Sequence, residues 1–254
     1  MNIVVPVKLV PDLVEELNID SSGVSLDTEW IRLIINEFDD HALEQAILLK
    51  ERGGGQVTVI APGVEGVDDV LYTAAAKGVD RLVKLEGAAE LGGSNHSLSR
   101  ALAVAVQEIG PDLVLTGVQA HNDLDGSVGP LLAEHLGFPY VGYIAGVEWK
   151  DGKLVVRKEY PAGLVAEMEV TLPAVLGIQA AEKPPRYVAV SKIRQAMQTA
   201  SITSQQAAAV DSSGAPGVTR MFKPETAKRA TMLEGGPDEV AVRLVEVLKE
   251  AGVL

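Results

Sequence analysis

The residues best placed to bind or react cluster between Pro111 and Gly137, in PDLVLTGVQAHNDLDGSVGPLLAEHLG. Asn122, Asp123 and Asp125 stand together there. Carboxylates this close could exchange protons or hold Mg²⁺. The same residue types also turn a loop into a following helix, and the setting favours that role. The four histidines, His41, His96, His121 and His135, include no pair at i, i+4, so no helical zinc site is expected. The chain has no cysteine, which removes disulfides, thiol catalysis and thiolate metal sites. A G-x-S-x-G elbow is absent. No catalytic residue and no metal ligand is therefore expected.

What the stretch does offer is a place for an anion. Leu113-Val114-Leu115 is apolar enough for a buried strand, and Gly117 breaks it. From about Ser127 a helix resumes, with Val128, Leu131, Leu132 and Leu136 at helical spacing. A parallel strand, a glycine-bearing loop and a helix start aim free N–H groups and the helix dipole at one point, which suits a nucleotide phosphate. No Walker loop and no G-x-G-x-x-G fingerprint is present. Taken alone, the pattern equally fits an ordinary strand-to-helix connection.

The rest of the chain supplies the frame. Ile3 to Val7 is a wholly apolar strand of the kind buried in parallel sheets, with Pro6 expected at its end or at a bulge. Asn18 to Leu26 reads as a small hairpin turning at Ser21-Ser22-Gly23. After Asn36-Glu37-Phe38-Asp39 comes a helix with Ala42, Leu43, Ala46, Ile47 and Leu49 as apolar positions, capped by Asn36 or Asp39 and ended by Gly53-Gly54-Gly55. Strands at 57–61 and 81–85 alternate with helices at 67–77 and 98–109. Short connections between them imply an α/β fold, a doubly wound, mostly parallel sheet with helices on both faces. Ligands of such sheets sit beyond the carboxyl ends of the strands, where strand order reverses. Those ends are Pro6-Val7, Ala61-Pro62 and Gly117-Val118. A further strand at 140–147, a hairpin of 153–157 with 164–170, and a core-like Leu172 to Gly177 follow.

With 254 residues, 47% of them hydrophobic, the chain can bury a core without staples. We expect a core over 1–185 and a partner-binding loop, arm and C-terminal helix over 186–254. From Arg186 to Thr231 seven Lys/Arg face two Asp/Glu, a net of +5, so the remainder of this −13 protein carries −18. Such acidity argues against a nucleic-acid partner, as does an aromatic content of 4%. No apolar run nears the roughly 18 residues of a membrane span, so no membrane insertion is expected. MNIVVPVKLVPD carries no targeting signal, which points to the cytoplasm. Residues 198 to 236 are Ala-, Gln- and Ser-rich and read as an extended arm with one or two short helices, and Pro237 onward reads as an amphipathic helix.

In order along the chain, four segments resemble the β (small) subunit of electron-transfer flavoproteins. Val5-Pro6-Val7-Lys8-Leu9-Val10-Pro11-Asp12 is similar to that family's opening strand, and Asn36-Glu37-Phe38-Asp39 to its Asn-Pro-Phe-Asp. Gly117-Val118-Gln119-Ala120 with Asp123 and Val128-Gly129-Pro130 resembles its nucleotide loop. Leu172-Pro173-Ala174-Val175 with Pro185-Arg186-Tyr187 resembles its signature Leu-Pro-Ala-Val…Pro-Arg-Tyr. The resemblance implies a heterodimer with an FAD-carrying α subunit, in which this chain does no bond chemistry. Electrons would pass from flavin dehydrogenases to a quinone oxidoreductase or another acceptor. The resemblance places AMP in the core, or a second FAD in electron-bifurcating members. It carries the nucleotide site to Pro6, Asn36, Glu37, Phe38, Asp39, Ala61, Gly117, Gln119, Ala120, Asp123, Gly126, Ser127, Val128 and Gly129. It carries partner binding to Arg186, Tyr187, Val190, Ile193 and Ala196.

Several positions depart from the family pattern. Glu37 replaces proline, Val118 replaces Lys/Arg, Asn122 replaces Asp and Ser127 replaces Gln. Lys183-Pro184 stands where Asn-Glu is usual, and the basic run after the docking helix is missing. AMP and FAD both remain open as occupants. A stand-alone nucleotide-binding regulator of the stress-protein kind is the alternative on a similar sheet.

Overall fold

The computed structural model describes residues 1–88, 93–150, 153–211, 213, 215–224, 230 and 232–254. Its main sheet is set by five short apolar runs. They are β1 (Asn2–Pro6), β4 (Gln56–Pro62), β5 (Arg81–Glu86), β6 (Leu113–Gly117) and β10 (Ala174–Ile178). Four of them are buried on both faces, as expected of parallel strands without polar alternation, while β5 buries Leu82, Val83 and Leu85 and leaves Lys84 and Glu86 half-buried. β1 pairs in parallel with β4 on one side and with β6 on the other. The complete nine-stranded order is β11-β5-β4-β1-β6-β10-β7-β8-β9, where β7 is Tyr140–Lys150, β8 Lys153–Tyr160, β9 Leu164–Val170 and β11 Ile202–Gln206. Strands β7, β8 and β9 form an antiparallel extension, with a single 3-10 turn at Pro161–Gly163 between the last two.

Period-two alternation assigns each strand residue to one of two cores. Ile3, Val5, Val59 and Leu115 face the helices α1 (Glu37–Gly53) and α2 (Val67–Lys77). Val4, Ile60, Val114 and Val175 face α3 (Asn95–Ile109) and α4 (Val128–Leu136). The doubly wound architecture follows, because a sheet with two apolar faces must cover both. β2 (Leu9–Pro11) and β3 (Leu33–Ile35) make a small antiparallel sheet that leaves β1 and returns to α1. Between them Ile19 and Leu26 form one antiparallel bridge around the Ser-Ser-Gly turn.

The reading of 198–236 as an extended arm needs correction over its first part. α5 (Val190–Thr199) packs on α2, and β11 joins the sheet edge in parallel beside β5. Five consecutive ladder partners, from Ile202↔Leu82 to Gln206↔Glu86, bring this polar segment into the sheet. An edge strand does not need two apolar faces, so its Thr-Ser-Gln-Gln sequence concealed it. Met1–Thr219 forms one compact unit and Arg220–Leu254 a second. In the second, α6 (Pro237–Glu250) forms as expected, with Asp238 and Glu239 in its first turn. Among the described residues no helix is long and apolar enough to cross a membrane.

Candidate functional site

The strand order reverses at β1, and a cleft opens there beyond the ends of β1, β4 and β6. Of the expected site residues, Pro6, Asn36, Asp39, Gly117, Gln119, Ala120, Asp123 and Val128 line it together. Ala61 is wholly buried at the end of β4, and its neighbour Pro62 lines the cleft instead. Glu37 is exposed and Phe38 half-buried in the first turn of α1. Gly126, Ser127 and Gly129 stand at the start of α4 without lining the cleft wall. Thr116, at the end of β6, lines it as well; Lys8, Leu98 and Leu102 also line it, and sequence reasoning had not assigned them to the site.

Asp39 is the centre of this arrangement. Its two carboxylate oxygens accept the backbone N–H groups of Lys8 and Gly117, each at 2.9 Å. One side chain thus ties the end of β1 to the end of β6. Burial pushes its pKa up to about 6, against the two N–H groups and Lys8, which favour the ionised form. Gly117 is glycine because of this packing. A Cβ there would lie 2.5 Å from Asp39 Oδ1 and 2.8 Å from Phe38 Cβ. Asn36 occupies the cap position of α1 but makes no side-chain cap, and nor does Asp39, contrary to expectation. The Asn36 amide instead donates to the Gln119 carbonyl at 2.9 Å and holds the loop after β6.

That loop is fixed by a second network. The Lys8 ammonium lies 2.8 Å from Asp123 Oδ1, with both side chains about one-seventh exposed. Asn95, at the start of α3, donates to the same oxygen at 2.7 Å and to the Gly126 carbonyl at 2.6 Å. Asp125 accepts the Ser94 hydroxyl and the Asn95 N–H. Burial raises its pKa, but these donors outweigh it and leave the carboxyl below the usual range. The loop acids are therefore occupied with holding the loop, as the favoured sequence reading had it. Among the described residues no cluster of three His, Asp or Glu side chains could hold a metal.

Two features fit a polar ligand. Ser127 at the cap position of α4 gives no side-chain cap, so the first N–H groups of the helix stay open. Thr116 lines the cleft with a buried hydroxyl that has no hydrogen-bond partner. In this arrangement the cleft holds about 20 Å³, or roughly one water.

The expected partner-binding residues lie elsewhere, before and along α5. Tyr187 and Val190 are 89% and 58% exposed, large apolar surface offered to solvent. Ile193 is half-buried and Ala196 buried. Arg186 is spent within the chain on Glu44 and Glu51. Its cation is held well above the ordinary arginine range, by the Glu51 and Glu44 hydrogen bonds.

Comparison with known proteins adds to this geometry. Residues 25–211 match the family model described as the electron transfer flavoprotein domain. The electron transfer flavoprotein subunit beta of Methylophilus methylotrophus is 33% identical over 98% of each chain. The protein of that name from Clostridium acetobutylicum is 34% identical, again over 98% of each. Protein FixA of Azorhizobium caulinodans is 31% identical over 92% of this chain and 89% of its own.

Proposed function

We propose, starting from the chain's membership of the electron transfer flavoprotein family as a β subunit, that its cleft binds an adenine nucleotide while its α subunit carries FAD. As a family member it is an electron-carrier subunit, and the stand-alone regulator gives way to that assignment. The observation that carries the nucleotide reading is the meeting of open α4 N–H groups and the unpartnered Thr116 hydroxyl at the strand switch point. Gly126, Ser127, Val128 and Gly129 would hold a phosphate through their backbones. Asn36 and Asp39 would face the nucleoside.

When bound, FAD supplies one- and two-electron chemistry, and this chain supplies the surface that orients it. Exposed Tyr187 and Val190 would receive a flavin dehydrogenase, with a quinone oxidoreductase or another acceptor downstream. The setting would be the cytoplasm.

Purification of the heterodimer followed by nucleotide extraction tests the reading. One FAD and one AMP per heterodimer is the expected result. Two FAD would place a flavin in this cleft and mark a bifurcating carrier. Flavin alone, with no second nucleotide, would overturn the nucleotide site.

A further inference from the structure

One face of α1 carries an unusual row of side chains. His41, Glu44, Gln45, Leu48, Glu51 and Arg52 follow the spacing i, i+3, i+4, i+7, i+10, i+11, which places them on one stripe. Glu44 and Gln45 are buried at 2% and 0% exposure, where an amphipathic helix would normally carry apolar residues. Apart from the Val147 carbonyl, which accepts from the Gln45 amide at 3.2 Å, the partners named below for His41, Glu44, Gln45 and Arg52 belong to the segment that leads into α5. The Ala181 N–H donates to His41 Nδ1 at 3.2 Å. The Glu182 N–H donates to Gln45 Oε1 at 3.1 Å, and Arg52 grips the Glu182 carboxylate. Both the N–H and the guanidinium of Arg186 donate to Glu44, the latter at 2.8 to 3.0 Å. The other arm of Arg186 reaches Glu51 at 2.6 Å and the Lys77 carbonyl at the end of α2.

After Ala180, which still bonds to the Ile144 carbonyl, side chains of α1 hold the amides of 181, 182 and 186. The segment is strapped to a helix by side chains. Tyr187 and Val190 follow directly on its last pin. The N-terminal turn of the same helix, Asn36 to Asp39, forms one wall of the cleft. Glu44 lies five helical steps beyond Asp39, about 7.5 Å along the axis.

We propose that α1 couples the two sites. A nucleotide held at the first turn of α1 orders the strap pinned to its flank by Glu44 and Arg186, and so presents Tyr187 and Val190 in a fixed place. The inference rests on the nucleotide and docking readings above. Its two states are the strap docked on α1 and the strap locally released, and the nucleotide favours the first by stiffening the helix that both share. By linkage, loss of the strap must weaken nucleotide binding by the same factor. Glu44 is thus a positioning residue. It touches neither ligand, and it sets where the docking surface stands.

Hydrogen exchange on the heterodimer, with AMP as the probe, tests this. In the wild type, AMP slows exchange over 117–129 and also over 187–199, by about fivefold or more at the second stretch. In Glu44→Gln the first effect persists, the second disappears, and AMP binds about fivefold more weakly. Should that variant fail to fold, Arg186→Lys keeps a cation beside Glu44, loses the forked contact and gives the same pattern. AMP protection confined to 117–129 in the wild type overturns the coupling and leaves the nucleotide site standing. Protection at both stretches in the variants overturns it as well. No protection anywhere overturns the nucleotide reading and the coupling with it.

Discussion

Substituting Gly117 by alanine perturbs the centre of the cleft with one methyl group. The backbone of Gly117 is not in the left-handed region, so the cost lies in space and in hydrogen bonding alone. The new Cβ would stand 2.5 Å from Asp39 Oδ1, 2.8 Å from Phe38 Cβ and 2.9 Å from the Asp39 amide nitrogen. Two of these atoms belong to the first turn of α1 near its backbone and cannot swing aside as the tip of a long side chain would. Overpacking of this kind costs about 1–3 kcal/mol. Moving Asp39 away also breaks its 2.9 Å bond to the Gly117 N–H. A buried donor left without a partner costs about another 1–3 kcal/mol. We expect Gly117→Ala to lose about 3 kcal/mol or more, which at about 2–4 °C per kcal/mol lowers Tm by about 6–12 °C. Gly53, the last residue of α1, is the control, because a Cβ there meets nothing within 4 Å. Gly53→Ala should be neutral or stabilise by up to about 1 kcal/mol. Urea unfolding of the three chains, with calorimetric titration of AMP, provides the comparison. A Gly117→Ala protein within about 1 kcal/mol of wild type, with AMP affinity unchanged, would refute the argument that β1, α1 and β6 are locked through this point.

Two further outcomes are expected. Asp39 has a folded pKa of about 6, above its value in an unfolded chain, so the folded state binds the extra proton between about pH 4 and 6. Its stabilising contribution is present below that window and lost as pH rises through it, by up to about 3 kcal/mol. Urea midpoints measured across pH should show this fall in wild type and a flatter profile in Asp39→Asn; equal slopes would show that another group titrates. Removing residues 220–254, the second compact unit, should leave a cooperatively folding chain that no longer co-purifies with its α subunit. Recovery of an intact heterodimer from that truncation would refute a partner-binding role for the unit.

Where a segment's structure depends on its own pattern, the sequence displayed it. Ile3-Val4-Val5 and Leu113-Val114-Leu115 read as buried parallel strands because they are apolar on both faces. α2 runs over Val67–Lys77, as the sequence pattern predicts, and Gly78 ends it. β11 was hidden because Ile202 to Gln206 has a polar composition, and its place is set by a distant neighbour, β5. Backbone pairing places it there, with Ile202 against the core and Ser204 and Gln205 bonded to Glu86 and Glu108, and backbone pairing leaves no mark on composition. The cap of α1 failed for a related reason. Asn36 and Asp39 are good capping types, but the Gln119 carbonyl takes the Asn36 amide, and the Lys8 and Gly117 N–H groups take the Asp39 carboxylate. A tertiary partner settles that competition in favour of the cleft.

The site shows the same division at finer scale. Gly117 to Gly129 was visible as a loop before a helix start, and the structure brings it beside Pro6 and Asn36. Lys8 and Asn95 were not foreseen, because 115 and 28 residues separate them from the Asp123 that unites them. Lys8 also bears on the nucleotide left open by the sequence. Val118, where the family pattern has a cation, is 3% exposed, so no charge could enter the site from that position without being buried. The cation nearest the loop is instead Lys8, already paired with Asp123. A phosphate entering the cleft must therefore compete with Asp123 for Lys8 or rely on the α4 amides alone. Weakening that pair would free a cation at the proposed site, while the Asn36, Asn95 and Asp125 hydrogen bonds would still hold the loop. The ion pair itself adds little net stability, since charges this far removed from water gain little net energy from each other.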